Sequence, residues 1–209
     1  MVIAHHLLWS TYGAWPPNDL RGSSSGFVHH APLFELANLH HGRKKIQPCN
    51  AELREFLHEA AGKLKFPVIP LHHREFQELA TVSGEVISEN VYTCYACAFM
   101  PDHVHLLIRK HKHLAEEMIR NLQVSSRLRF RSAGLRTPDH PVWGGPGWKV
   151  FLDTPDEIRR TINYIEDNPK KLHMPVQRWD FVKFYDGWPL HPGHNPNSPY
   201  ARAIRRSGG

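Results

Sequence analysis

The chain has 209 residues, with 26 Lys plus Arg against 20 Asp plus Glu and a formal net charge of +6. It is long enough to bury a core unaided, and 41% hydrophobic with 22% charged residues is not the composition of a disordered chain. Three cysteines cannot frame a disulfide scaffold, and no apolar stretch approaches the ~20 residues of a membrane helix. The first ten residues lack a basic n-region and a small-residue cleavage site, so no targeting leader is expected. A soluble, cytoplasmic, basic protein is the expectation, and its charge favours an anionic partner, nucleic acid first.

In chain order, Val2 to Tyr12 is apolar, β-branched and aromatic in part, and reads as a strand. Residues 13–30 read as loop. Ala51 to Leu64 has helical spacing of Leu53, Phe56, Leu57, Ala60 and Leu64, with Asn50 expected as N-cap. Glu75 to Asn90 repeats the pattern through Phe76, Leu79, Ala80 and Ile87. Val91 to Met100 and His103 to Arg109 are strands, and the Pro101-Asp102 link makes them a hairpin. Leu114 to Ser132 is a helix and Trp148 to Leu152 a short strand. Thr154 to Asn168 is a helix with a T-x-x-E capping box through Glu157, expected to be closed by Pro169. Strand, helices, hairpin, helix, strand, helix is an α+β order: an antiparallel sheet with helices packed on it. The tail carrying Arg202, Arg205 and Arg206 reads as loop-rich.

The chain holds 17 histidines, and one pair has a spacing that does chemistry. On a strand, residues i and i+2 point to one face. His103 and His105 therefore project together, with Val104 turned into the core. Two neutral imidazoles so placed are half of a divalent metal site; two solvated histidines on a surface strand are the plain alternative. Tyr164 and Asn168 stand i, i+4 and share a helix face. Asn168 offers a carbonyl oxygen and Tyr164 a phenol, although a packing tyrosine and an Asn-Pro helix stop explain the same residues.

FMPDHVHLLI followed by YIEDNP resembles the HUH single-strand DNA nucleases of the Y1 transposase group, and more narrowly the IS200-like, REP-associated tyrosine transposases. The resemblance covers most of the chain up to about Pro169. It implies a ferredoxin-like sandwich over residues 1–170, with a helical insertion at about 31–90 and a loop-rich extension at 171–209. It implies His103, His105 and Asn168 as ligands of Mg²⁺ or Mn²⁺ and Tyr164 as nucleophile. The implied activity is a transposase that cuts and rejoins single-stranded or hairpin DNA through a 5′-phosphotyrosine, in association with the nucleoid. A homodimer is left open. The insertion and the segment WDFVKFYDGW are departures from the compact members of that family.

Single-stranded DNA needs cations for phosphates and aromatic faces for bases. Asn18 and Arg21 in one loop, Arg127 on a helix, and Trp143, Trp148 and Lys149 around a Gly-rich loop are the DNA-contact candidates, with core tryptophans and solvated arginines as the plain alternative. Three other activities fit poorly. Cys94-x-x-Cys97 on a regular strand would point its thiols to opposite faces, against zinc chelation. Leu107 stands where a histidine-triad hydrolase needs its third histidine, and paired H-x-[ST] motifs of a 2H phosphodiesterase are absent. A catalytically silent DNA-binding protein of the same fold is the serious alternative.

Overall fold

The computed structural model describes residues 1–23, 33 and 35–189. Its centre is a four-stranded sheet of β1 (Ala4–Ser10), β2 (Cys94–Phe99), β3 (His103–Arg109) and β4 (Trp148–Leu152). The order is β2-β3-β1-β4 and every pairing is antiparallel. The helices are α1 (Asn50–Lys63), α2 (His73–Glu89), α3 (Ala115–Ser132) and α4 (Pro155–Lys171). With α2 and α3 as the crossovers, the path is the βαββαβ of a ferredoxin-like sandwich. The α+β expectation therefore holds.

Alternation along the strands builds two cores. Leu7, Trp9, Val104, Leu106 and Ile108 face α2 and α3, and pack with Leu79, Met118, Leu122, Phe130 and Trp143. Ala4 and Leu107 face the other way, with Ala96, Ala98, Met100 and Leu152, against Ile158 and Ile165 of α4. The buried side of α3 runs through Met118, Leu122, Ser126 and Phe130. Within the expected insertion, α2 is thus a crossover helix of the main core. Among the described helices α1 stands apart, packing Phe56 and Ala60 on Leu20, Leu33 and Ala37.

Several local expectations need correction. Cys49, not Asn50, caps α1, because its sulfur accepts from Glu52 N while the Glu52 carboxylate takes the Cys49 N–H. Pro169 does not close α4, which runs to Lys171. The chain turns out of helix at His173, in a left-handed conformation with φ 55°. A proline this near a helix end sacrifices little of the hydrogen-bond ladder.

Cys94 and Cys97 lie on one face, not opposite faces, because a bulge between Cys94 and Ala96 resets the alternation. Burial pushes the Cys94 thiol up to about 12 and raises Cys97 well above its ordinary value. Such thiols are inert packing groups. Among the described residues no three His, Cys, Asp or Glu side chains form a metal-holding group.

The stretch after α4 packs along the outer edge of β2. Gln177 bonds both the N–H and the carbonyl of Phe99, at 2.8 and 2.7 Å. Val182 bridges to Cys94. Arg202, Arg205 and Arg206 lie outside the described residues. No helix of the described residues is long and apolar enough to cross a membrane.

Candidate active site

β3 is paired on both sides, to β2 and β1, so its outward residues stand in the middle of the α4 face. His103 and His105 both project there, with ring centroids 4.7 Å apart and planes nearly perpendicular. His105 is 3% exposed, whereas His103 is half-buried. His6 of β1 joins them: its Nε2 lies 2.9 Å from His105 Nδ1 and the two rings stack. Tyr164 of α4 presents its ring edgewise to His105 at 5.7 Å and to His6 at 6.0 Å, while remaining 48% exposed. A phenol and three imidazoles thus converge from three elements that are far apart in the chain.

The electrostatics keep His6 and His105 neutral. Burial pushes His105 down to about 2, helped by the charges of His103, His6 and Lys171. Burial alone pushes His6 down to about 4. Neutral imidazole is the metal-ligating form. Asp102 Oδ1 holds His103 Nδ1 at 2.6 Å. Burial would raise the Asp102 carboxyl, but the His103 hydrogen bond and charge outweigh it and hold it below its usual range. The Asp102 carbonyl is itself fixed by the Thr11 N–H and hydroxyl.

Nδ1 of each β3 histidine is therefore engaged, and Nε2 remains as the donor nitrogen. His105 Nε2 is buried and has no hydrogen-bond partner. An unsatisfied buried polar atom costs about 1–3 kcal/mol, and a lone pair in that position suits a cation. Engagement of the other ring nitrogen is how metal-binding histidines are oriented. These two residues could hold a divalent ion.

Asn168 is 7% exposed, but its amide folds back on its own helix. Nδ2 donates to the Tyr164 carbonyl at 2.9 Å, and Oδ1 accepts from Lys171 Nζ at 3.2 Å. Neither bond reaches a histidine. To serve as third ligand, Oδ1 must exchange Lys171 for the ion. Lys171 also places its ammonium 4.6 Å from the Tyr164 ring centroid.

The DNA-contact candidates divide. Asn18 is fully buried and donates to the Ala37 carbonyl at 2.7 Å. Trp143 is core, with its Nε1–H on Gln123 O and Ser126 Oγ, both at 3.1 Å. Both are corrections, because neither presents a surface to a strand. Arg21 is committed to the fold too: its guanidinium bonds both Asp19 oxygens and the Ala14 carbonyl, and lies 3.8 Å from the Trp15 ring centroid. Arg127 is half-buried on α3, behind the sheet from the histidines. Lys149 points to that same rear side, where it pairs with Glu116. Trp148 alone shares the histidine face. It is paired in register with Leu8, which is itself paired with His105, and it is 49% exposed.

Gly144 and Gly147 of that loop serve packing. A Cβ on Gly147, at φ 84°, would meet Leu8 O at 2.9 Å and Trp9 Cβ at 3.1 Å. His6, Asp102 and Lys171 are the site residues that sequence reasoning missed. Asp102 was readable from its adjacency to His103, and Lys171 from its i+3 spacing to Asn168. His6 gave no local signal.

Tyr164 of α4 thus stands over the histidine pair on one face of the sheet. Residues 70–168 match the family model described as "Transposase IS200 like". That stretch runs from just before α2 to Asn168 and carries His103, His105 and Tyr164, while β1, which completes the sheet, lies outside the matched span. No curated protein sequence matches the chain. Among solved structures it is similar to a protein of Deinococcus radiodurans R1 provisionally described as a transposase. Identity is 17%, over 80% of this chain and 91% of that one, with a TM-score of 0.39. It is also similar to a REP-associated tyrosine transposase bound to a REP hairpin. Identity is 12%, over 98% of this chain and 81% of that one, with a TM-score of 0.45.

Proposed function

We propose that this chain is a transposase that cuts and rejoins single-stranded or hairpin DNA through a covalent 5′-phosphotyrosine on Tyr164. The observation that carries this reading is the convergence of the half-exposed Tyr164 ring on His105 and His6, beside His103. The Tyr164 oxygen attacks the scissile phosphorus, the P–O3′ bond breaks, and the leaving strand departs as a 3′-hydroxyl. The phosphotyrosine conserves the bond, so a later 3′-hydroxyl reverses the attack and joins strands. A divalent ion, Mg²⁺ or Mn²⁺, held by His103, His105 and Asn168 would supply polarisation of the phosphate. Lys171 brings a cation to the face where phosphate oxygens gather. Trp148 offers an aromatic face to a base on the same side of the sheet. DNA as substrate places the protein with the nucleoid.

The test is a denaturing gel of the protein with labelled single-stranded DNA from the flanks of its own coding sequence. A slow, metal-dependent band is expected with Mn²⁺. The Tyr164→Phe variant should lose it entirely while still retarding DNA on a native gel. His103→Ala and His105→Ala should each lose it as well, and EDTA should abolish it in the parent protein. Attachment that survives Tyr164→Phe would show another nucleophile. Retardation without any covalent band would favour the silent DNA-binding protein.

A further inference from the structure

We infer that His6 is a positioning residue: it accepts the Nδ1 proton of His105 and thereby leaves the His105 Nε2 lone pair free for the metal. The inference rests on the reading of His105 as a ligand. It adds a residue from a strand outside the matched family segment.

The geometry is cross-strand. Leu8 of β1 faces His105, and His6 faces Leu107, so His6 and His105 are diagonal neighbours on one face, within reach of long side chains. Their Nε2 and Nδ1 atoms lie 2.9 Å apart and share one proton. A neutral imidazole carries a single N–H, so two arrangements exist. With the proton on His6 Nε2, His105 carries its own on Nε2, where the nitrogen is buried and has no partner. That would strand a buried donor, at the full desolvation cost of an unmade hydrogen bond. With the proton on His105 Nδ1, it is given to His6, and His105 Nε2 is a bare lone pair. His6 then carries its proton on Nδ1, which is not among the buried unpaired atoms. The second arrangement strands no N–H.

The neighbouring ligand is treated in the same way. Asp102 takes Nδ1 of His103 at 2.6 Å and leaves its Nε2. Two acceptors of different chemistry, a carboxylate and an imidazole, thus fix the same tautomer in both candidate ligands. His6 also stacks on His105 and meets the edge of the Tyr164 ring, so it orients the ring plane as well as the proton.

The test has two readouts on the full chain. Long-range ¹H–¹⁵N spectra of the metal-free protein report the His105 tautomer, and calorimetric titration with Mn²⁺ reports affinity. The parent protein should show His105 protonated on Nδ1. His6→Phe keeps a ring but offers no acceptor. It should shift His105 toward the Nε2–H form and weaken Mn²⁺ binding by about 10- to 100-fold. His6→Gln keeps an amide oxygen as acceptor and should restore most of the affinity. An Nε2–H tautomer in the parent protein overturns the inference without any variant. A His6→Phe protein that binds Mn²⁺ as tightly as the parent overturns it while sparing the metal reading. A parent protein with no affinity for Mn²⁺ overturns both.

Discussion

Glu75 and Arg136 show what one buried ion pair does for this fold. Arg136 Nη1 meets Glu75 Oε1 at 2.9 Å, with side-chain exposures of 2% and 10%. Arg136 also donates to the carbonyls of Leu135, Ile69 and Pro70, and Glu75 Oε2 caps the His72 N–H. The pair therefore pins the entry to α2 onto the loop after α3. Burial would raise the Glu75 carboxyl, but the bonds from Arg136 and the backbone outweigh it and hold it below its ordinary 4.5. Its contribution is thus complete above that value and is lost as pH falls through the lower folded value. Glu75→Gln leaves a buried guanidinium uncompensated and should cost about 3–5 kcal/mol at pH 7. Denaturant melts should show that gap narrowing as pH falls below 4.5 and the parent carboxylate protonates too. A gap independent of pH would show that the charge is not what is lost. At this scale the sequence was partly legible. His103 and His105 could be read because i and i+2 share a strand face, and Tyr164 because a helix repeats. His6 could not, because its partner is 99 positions away and meets it only through the β1–β3 register. Asn18 reads as loop polarity and proves to be a buried strut.

Among the elements, β4 and its approach carry the sharpest contrast. Two tryptophans five positions apart look alike in sequence. Trp143 precedes the strand, packs edgewise on Trp9 at 6.0 Å and fills the space over Phe130. Trp148 opens the strand and lies half in solvent. Trp143→Ala should cost about 3–5 kcal/mol of stability and lower the melting temperature, as expected for an emptied core site. Trp148→Ala should leave the melt almost unchanged and weaken single-stranded DNA binding by about 1–3 kcal/mol in fluorescence titrations. Equal effects of the two on stability would contradict the placement of Trp148. Element type was legible throughout, because periodicity is a local property. Element ends were not: Pro169 is tolerated inside α4 and a sulfur caps α1. The bulge after Cys94 likewise follows from pairing with β3, which no local pattern reports.

For the whole molecule, the order of elements already implied a sheet with crossover helices, but not the order of strands in space. That order places β3 between two partners and gives α4 only one face to rest on, through Ile158 and Ile165. The consequence concerns lifetimes. Amides of a central, doubly paired strand exchange with solvent only when the molecule unfolds, whereas a helix end frays on its own. Deuterium uptake at Val104–Ile108 should therefore be as slow as global unfolding, and uptake in the last turns of α4 should be markedly faster. Equal rates would mean that α4 and the sheet open as one unit. Otherwise the imidazoles and the phenol keep different clocks: the histidines persist for the life of the fold, while the support of the tyrosine renews its hydrogen bonds many times in that span.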